Sequence, residues 1–179
     1  DYYFTPDKLE AYKDGNFLKG GIVFADAVTT VSNTYADEIK TPFYGEGLDG
    51  LLRARSNSLR GIVNGIDYND FNPETDINLS ARYNATTFRK EKVKNKIQLQ
   101  KDLGLEQDPK AMMIGIVSRL TDQKGFDLIA YIMDELCQDS VQIVALGTGD
   151  ERYENMFRHF DWKYHGKVSA QIYYDESMS

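Results

Sequence analysis

The sequence predicts an α/β protein with parallel sheets, and three observations carry that prediction. Two short runs of β-branched and apolar residues, 27–31 (AVTTV) and 59–63 (LRGIV), enclose a helix-forming stretch, and strand, helix, strand is the signature of a parallel pair. Three further runs, 111–118 (AMMIGIVS), 141–146 (VQIVAL) and 169–174 (SAQIYY), alternate with two helical segments, which makes half of a doubly wound sheet. No apolar run approaches the roughly 20 residues that span a bilayer, and 41% apolar with 27% charged residues fits a soluble globular chain.

Each element has its own justification. Residues 16–25 (NFLKGGIVFA) read as a buried helix whose glycine pair admits a neighbouring backbone. The run 27–31 reads as a short buried strand, and Ser32 is placed to cap a helix ending near Ile39. Pro42, Gly45, Gly47 and Gly50 predict a loop over 41–50. Residues 64–83 (NGIDYNDFNPETDINLSARY) are crowded with turn formers and are expected to be irregular, with a domain boundary among them. A charged helix is predicted over 88–103, closed by Gly104. Strand 111–118 is expected to be fully buried. Thr121 or Asp122 should cap the next helix, on which Ile129, Ile132, Met133 and Leu136 share one face. Strand 141–146 ends at Gly147-Thr148-Gly149-Asp150, and a helix running to about Phe160 leads into strand 169–174.

Composition narrows the function classes. The chain has 179 residues, with 28 Asp and Glu against 21 Lys and Arg, a formal charge of −7. That length allows one domain or two small ones. The acidic balance argues against a generic nucleic-acid binder. Arg89, Lys90, Lys92, Lys94, Lys96 and Lys101 are spread around helix 88–103 without an aromatic ladder, so they read as a solvated face. Cys137 is the only cysteine, which excludes an intramolecular disulfide and suits a reducing compartment. The opening Asp1-Tyr2-Tyr3 carries no secretory pattern, and the stop at Ser179, where a helix is due, reads as a cut within a longer protein. His159, His165 and Cys137 have no metal-ligand spacing, so no metal site is expected. A Gly-x-Ser-x-Gly elbow is absent, which disfavours a serine triad.

The candidate chemistry lies at two strand ends. The segment Ser118-Arg119-Leu120-Thr121-Asp122-Gln123-Lys124-Gly125 falls between the carboxyl end of a parallel strand and the next helix, where open α/β sheets bind ligands. Helix amides and the helix dipole favour an anion there. Arg119 offers a planar fork of donors and Lys124 a compact charge, and the two could meet on one phosphate. The alternative is a pair of solvated surface cations. Gly147-Thr148-Gly149-Asp150 is too short for a dinucleotide fingerprint, yet it would leave room for a ligand beside the backbone; Asp150 reads as a helix cap. Asn64-Gly65 reads as a turn, with a cleft-lining role open at the expected domain junction.

Taken together, FLKGGIVFADAVTTVSNTYADEI, YGEGLDGLLRAR, GIVNGIDYNDFNPETD, KNKIQLQKDLGL, IGIVSRLTDQKGFDL, LGTGD and IYYDE resemble the bacterial glycogen synthases and plant starch synthases, retaining glycosyltransferases of the GT-B fold. Their order and spacing hold across nearly the whole chain. The resemblance implies parts of two Rossmann-like domains with parallel sheets. Residues 1–65 would be the C-terminal part of the acceptor domain, 66–80 an interdomain connection, and 81–179 the first part of the nucleotide-sugar-binding domain.

For the full protein the resemblance implies transfer of glucose from ADP-glucose to the non-reducing end of an α-1,4-glucan with retention. The partners would be ADP-glucose or ADP and the glucan, with no nucleic acid, membrane, metal or organic cofactor. The location would be a bacterial cytoplasm, or a plastid for a plant-type source. By matched position, Arg119 and Lys124 would contact the donor diphosphate and stabilise charge on the departing nucleotide, and Ser118 at the head of their motif joins the substrate-binding set. Tyr174 would lie against the base, Gly147 and Gly149 would keep the pocket floor open, and Asn64 would face the cleft.

The family's Lys-Thr/Val-Gly-Gly loop, its acceptor-domain histidine and its Glu-Pro-Cys-Gly-Leu motif do not occur in this window, which predicts that the isolated chain does not turn over. A reading from another class is a non-catalytic module that binds nucleotide or glucan. A sucrose or trehalose-phosphate transferase would share SRLTDQKG and LGTGD, but NGIDYNDFNPETD with YGEGLDGLLRAR argues against it.

Overall fold

The computed structural model describes residues 2–173, which fold as two units divided between Asp67 and Tyr68. In the first unit a small antiparallel hairpin, β1 (Glu10–Ala11) and β2 (Asp14–Gly15), turns through Tyr12 and Lys13, whose φ values are +56° and +73°. Helix α1 (Phe17–Phe24) opens with the Asn16 side chain accepting from the Lys19 amide at 2.9 Å, which satisfies one of the free donors of a helix start. The Lys19 ammonium donates to the carbonyls of Pro6 and Glu10 at 2.5 and 2.6 Å and so ties the hairpin to α1.

Strands β3 (Val28–Val31) and β4 (Leu59–Ile62) pair in parallel, Val28 opposite Leu59. Between them lie α2 (Asn33–Glu38), capped by Ser32 Oγ accepting from the Tyr35 amide, and α3 (Asp49–Ala54). Ala36, Ile39, Leu52 and Leu59 form the core of this unit.

Three expectations for this unit are corrected. Helix α1 is not buried: Phe17 is 84% exposed and only Gly20 is enclosed. Strand β3 alternates half-buried and exposed rather than lying inside. The physical reason is the same for both, since the pair β3–β4 offers too little surface to cover more than one side of either element. The loop expected over 41–50 ends early, because Asp49 starts α3 and its carboxylate holds Arg53 one turn on at 2.6 Å.

The second unit begins with an irregular stretch and then α4 (Phe88–Asp102). Strands β5 (Met112–Val117), β6 (Val141–Leu146) and β7 (Val168–Gln171) form a parallel sheet in the order β5-β6-β7. The crossovers are α5 (Phe126–Leu136) and α6 (Glu151–Lys163). Leu120, Phe126, Ala145, Tyr153 and Phe157 form one core cluster, and Met133, Cys137, Ile143, Phe160 and Val168 form a second. These pack α5 and α6 on one sheet face. On the other, Met113, Val117, Val144 and Leu146 line a cleft of about 530 Å³ shared with Val93 and Leu99 of α4.

Helix α4 is joined to the sheet by a buried polar pair. Gln100 Nε2 donates to Gln142 Oε1 at 2.6 Å and to the Asp108 carbonyl at 2.9 Å, while Gln142 Nε2 donates to the Glu106 carbonyl at 2.6 Å. Each amide is thereby partnered, as burial demands.

Here too the expectations need correcting. Strand β5 is not fully buried: Met112 and Val117 are more than half exposed, because β5 is an edge strand among the described residues. Neither Thr121 nor Asp122 caps α5. A short 3₁₀ turn (Asp122–Lys124) intervenes, and Gly125 occupies the cap position at φ +69°. The strand expected over 169–174 is β7, ending at Gln171, and Tyr174 lies outside the described residues. No described helix is long and apolar enough to cross a membrane.

Candidate functional site

Two loops leave the carboxyl ends of neighbouring parallel strands, residues 118–125 after β5 and 147–150 after β6, and main-chain bonds stitch them together. The Leu120 amide donates to the Thr148 carbonyl at 2.9 Å, and the Asp150 amide donates back to the Leu120 carbonyl at 2.8 Å. Leu120 and Gly149 form an isolated parallel bridge. Such an approach requires glycine on one side. A Cβ on Gly147 would overlap the Ser118 carbonyl oxygen, and one on Gly149 the Leu120 carbonyl oxygen. The space that the sequence offered to a ligand beside Gly147 and Gly149 is, on this side, filled by the neighbouring loop.

The first turn of α6 fastens both loops. The Gly149 amide donates to Glu154 Oε1 at 3.0 Å, and Arg158 reaches Glu154 Oε2 at 3.1 Å. The Gly149 N–H, with help from Arg158, holds the Glu154 carboxyl below its ordinary pKa. The Tyr153 hydroxyl donates to Asp122 Oδ1 at 2.5 Å. Arg152 pairs with the same carboxylate and lies over the Tyr153 ring, 4.5 Å from its centre. Asp150 takes the N-cap position of α6 without a side-chain capping bond, so the capping role expected of its carboxylate is not seen.

Ser118, Arg119, Lys124, Gly147 and Gly149 are therefore brought to one edge of the second unit. Arg119 and Lys124 are exposed, and among the described residues neither charged head has a hydrogen-bond or ion-pair partner. Both stand on the loop that enters α5 at Gly125. Uncompensated positive charge beside a helix amino end is suited to a phosphate dianion. Ser118 is half-buried at the base of the loop. Asn64 is exposed just beyond β4 in the first unit, and Tyr174 lies outside the described residues. No group of three or more His, Cys, Asp or Glu among the described residues is placed to hold a metal ion. Cys137 is buried, and burial raises its thiol pKa.

The sequence reading missed the anchoring roles of Asp122, Tyr153 and Glu154. One signal was available: Tyr153, Phe157 and Phe160 repeat at helical spacing, which marks Tyr153 as a core residue with a hydroxyl needing a partner.

Comparison with known proteins follows the same lines. The catalytic domain of starch synthase IV from Arabidopsis thaliana, bound to ADP and acarbose, matches with a TM-score of 0.89 and 34% identity, covering 99% of this chain and 37% of that one. The α/β units with parallel sheets thus place the chain in the GT-B fold class. Residues 1–54 match the family model described as the starch synthase catalytic domain. Glycogen synthase from Lachnospira eligens is 71% identical over all 179 residues, and that of Clostridium acetobutylicum 54% over 177. Over nearly its whole length this stretch of sequence is similar to glycogen synthases and to a starch synthase. The chain spans 37% of the length of these relatives.

Proposed function

We propose that the chain carries the donor-diphosphate site, together with part of the acceptor domain, of a glycogen synthase that moves glucose from ADP-glucose to the non-reducing end of an α-1,4-glucan with retention. Residues 1–65 belong to the acceptor domain, 66–80 to the connection and 81–179 to the donor domain. The observation that carries this reading is the pair Arg119 and Lys124: two cations without protein partners among the described residues, on a loop at a sheet's carboxyl edge, in a sequence 71% identical to a glycogen synthase.

As the bond between the glucosyl carbon and the diphosphate oxygen breaks, negative charge grows on the leaving ADP. Arg119 and Lys124 stabilise it in place, and preorganised donors of this kind are each worth a factor of about 10²–10³. Ser118 and the stitched glycines keep the loop in position beneath the phosphates, and Asn64 belongs with the donor-side substrate-binding residues. The bound nucleotide in the Arabidopsis neighbour supports the choice of ADP. The full enzyme works in the cytoplasm, without a metal or organic cofactor and without binding nucleic acid or membrane.

The test is a calorimetric titration of the chain with ADP beside Arg119→Ala. A charge-assisted contact contributes about 1.5–3 kcal/mol, so the variant should bind roughly ten- to a hundredfold more weakly. Equal affinity in both proteins would remove Arg119 from the site.

A further inference from the structure

We propose that Asp122 is a positioning residue, which through Tyr153 holds the loop bearing Arg119 and Lys124 in the shape that receives a diphosphate. The inference rests on the donor-site reading above. Tyr153 is fixed first. Its ring is buried in the cluster of Leu120, Phe126, Ala145 and Phe157, with the Phe126 ring centre 5.4 Å away. Its hydroxyl emerges from that core and donates to Asp122. Asp122 begins the 3₁₀ turn that ends at Lys124, and the same loop carries Arg119 three residues earlier. An exposed loop that bears two cations unpaired among the described residues thus takes its shape from a rigid aromatic ring in the core. Arg152, on the Asp122 carboxylate and over the Tyr153 ring, braces the contact from outside.

Two effects of Asp122 oppose each other at a phosphate site. Its negative charge repels the diphosphate, whereas its bond to Tyr153 prepays the ordering of the loop. Asp122 is exposed, so its charge is screened by solvent, and the ordering effect is the larger.

The test titrates ADP, and separately inorganic pyrophosphate, into the wild-type chain and into Asp122→Ala, Tyr153→Phe, the double variant and Asp122→Asn, well below every melting temperature. Asp122→Ala and Tyr153→Phe should each weaken both probes about two- to tenfold, and the double variant should be no weaker than the worse single one. Asp122→Asn, which keeps an oxygen for the tyrosine hydroxyl but loses the charge, should regain most of the affinity. Variants that melt lower yet bind as the wild type does would reduce the contact to a structural one and overturn the proposal. Tighter binding by Asp122→Ala, or an Asp122→Asn as weak as Asp122→Ala, overturns it equally. A wild-type chain that binds neither probe refutes the donor-site reading itself, and that outcome is read before any variant is compared.

Discussion

Glu154 is half-buried, and its carboxylate has two partners, the Gly149 amide and the Arg158 guanidinium. Its pKa in the fold lies below the ordinary 4.5. A group whose folded pKa is depressed adds stability at pH above its unfolded value, and that stability is lost as pH falls through the folded one. Glu154→Gln should therefore melt below the wild type at neutral pH, and the gap should narrow as the pH falls through the folded pKa of Glu154. A gap that stays constant from neutral to acid pH would mean that the charge plays no part. At this scale the site was only half legible in the sequence. Arg119 and Lys124 announce themselves by standing between a strand and a helix. Asp122 does not, because the partner that defines its role is 31 residues away.

Among the elements, α4 and β6 meet through amides rather than methyl groups. Gln100 and Gln142 are both buried, and each fills the other's hydrogen-bonding needs together with the backbone of 106–108. Gln142→Leu would take one of its two acceptors from the Gln100 amide and one of its two donors from the Glu106 carbonyl. It should cost about 1–3 kcal/mol, read as a lower urea midpoint; an unchanged midpoint would show that water replaces the lost partner.

The elements legible in the sequence are those with a strong local signal: the unbroken apolar run of β6, the long charged stretch of α4 closed by Gly104, and the apolar helical spacing on α5. The hairpin β1–β2 was not, since its turn sets Tyr12 and Lys13 at positive φ where Asn or Gly is the usual signal. Helix α3 was hidden by Gly50 inside it. The exposure of α1, β3 and β5 could not be read from residue type, because burial is decided by what lies alongside, and an apolar run looks the same at a sheet edge as at its centre.

At the scale of the molecule, the chain sets Arg119 and Lys124 on one loop at a sheet edge but spans only 37% of the length of the glycogen synthases it matches. Incubated with ADP-glucose and glucan, the purified 179-residue chain should incorporate no glucose above a protein-free blank. Incorporation above that blank would show that the reaction needs nothing further.

The stitch between the loops after β5 and β6 has a consequence for how this region tolerates change. Both sides of the contact are main chain, so what it demands of residues 147 and 149 is the absence of a side chain, while Thr148 between them faces outward. Accepted substitutions should be plentiful at the middle position and nearly nil at its neighbours. The immobility of Gly147 and Gly149 in such a record would reflect the gap that the adjacent loop must enter, quite apart from anything that binds there.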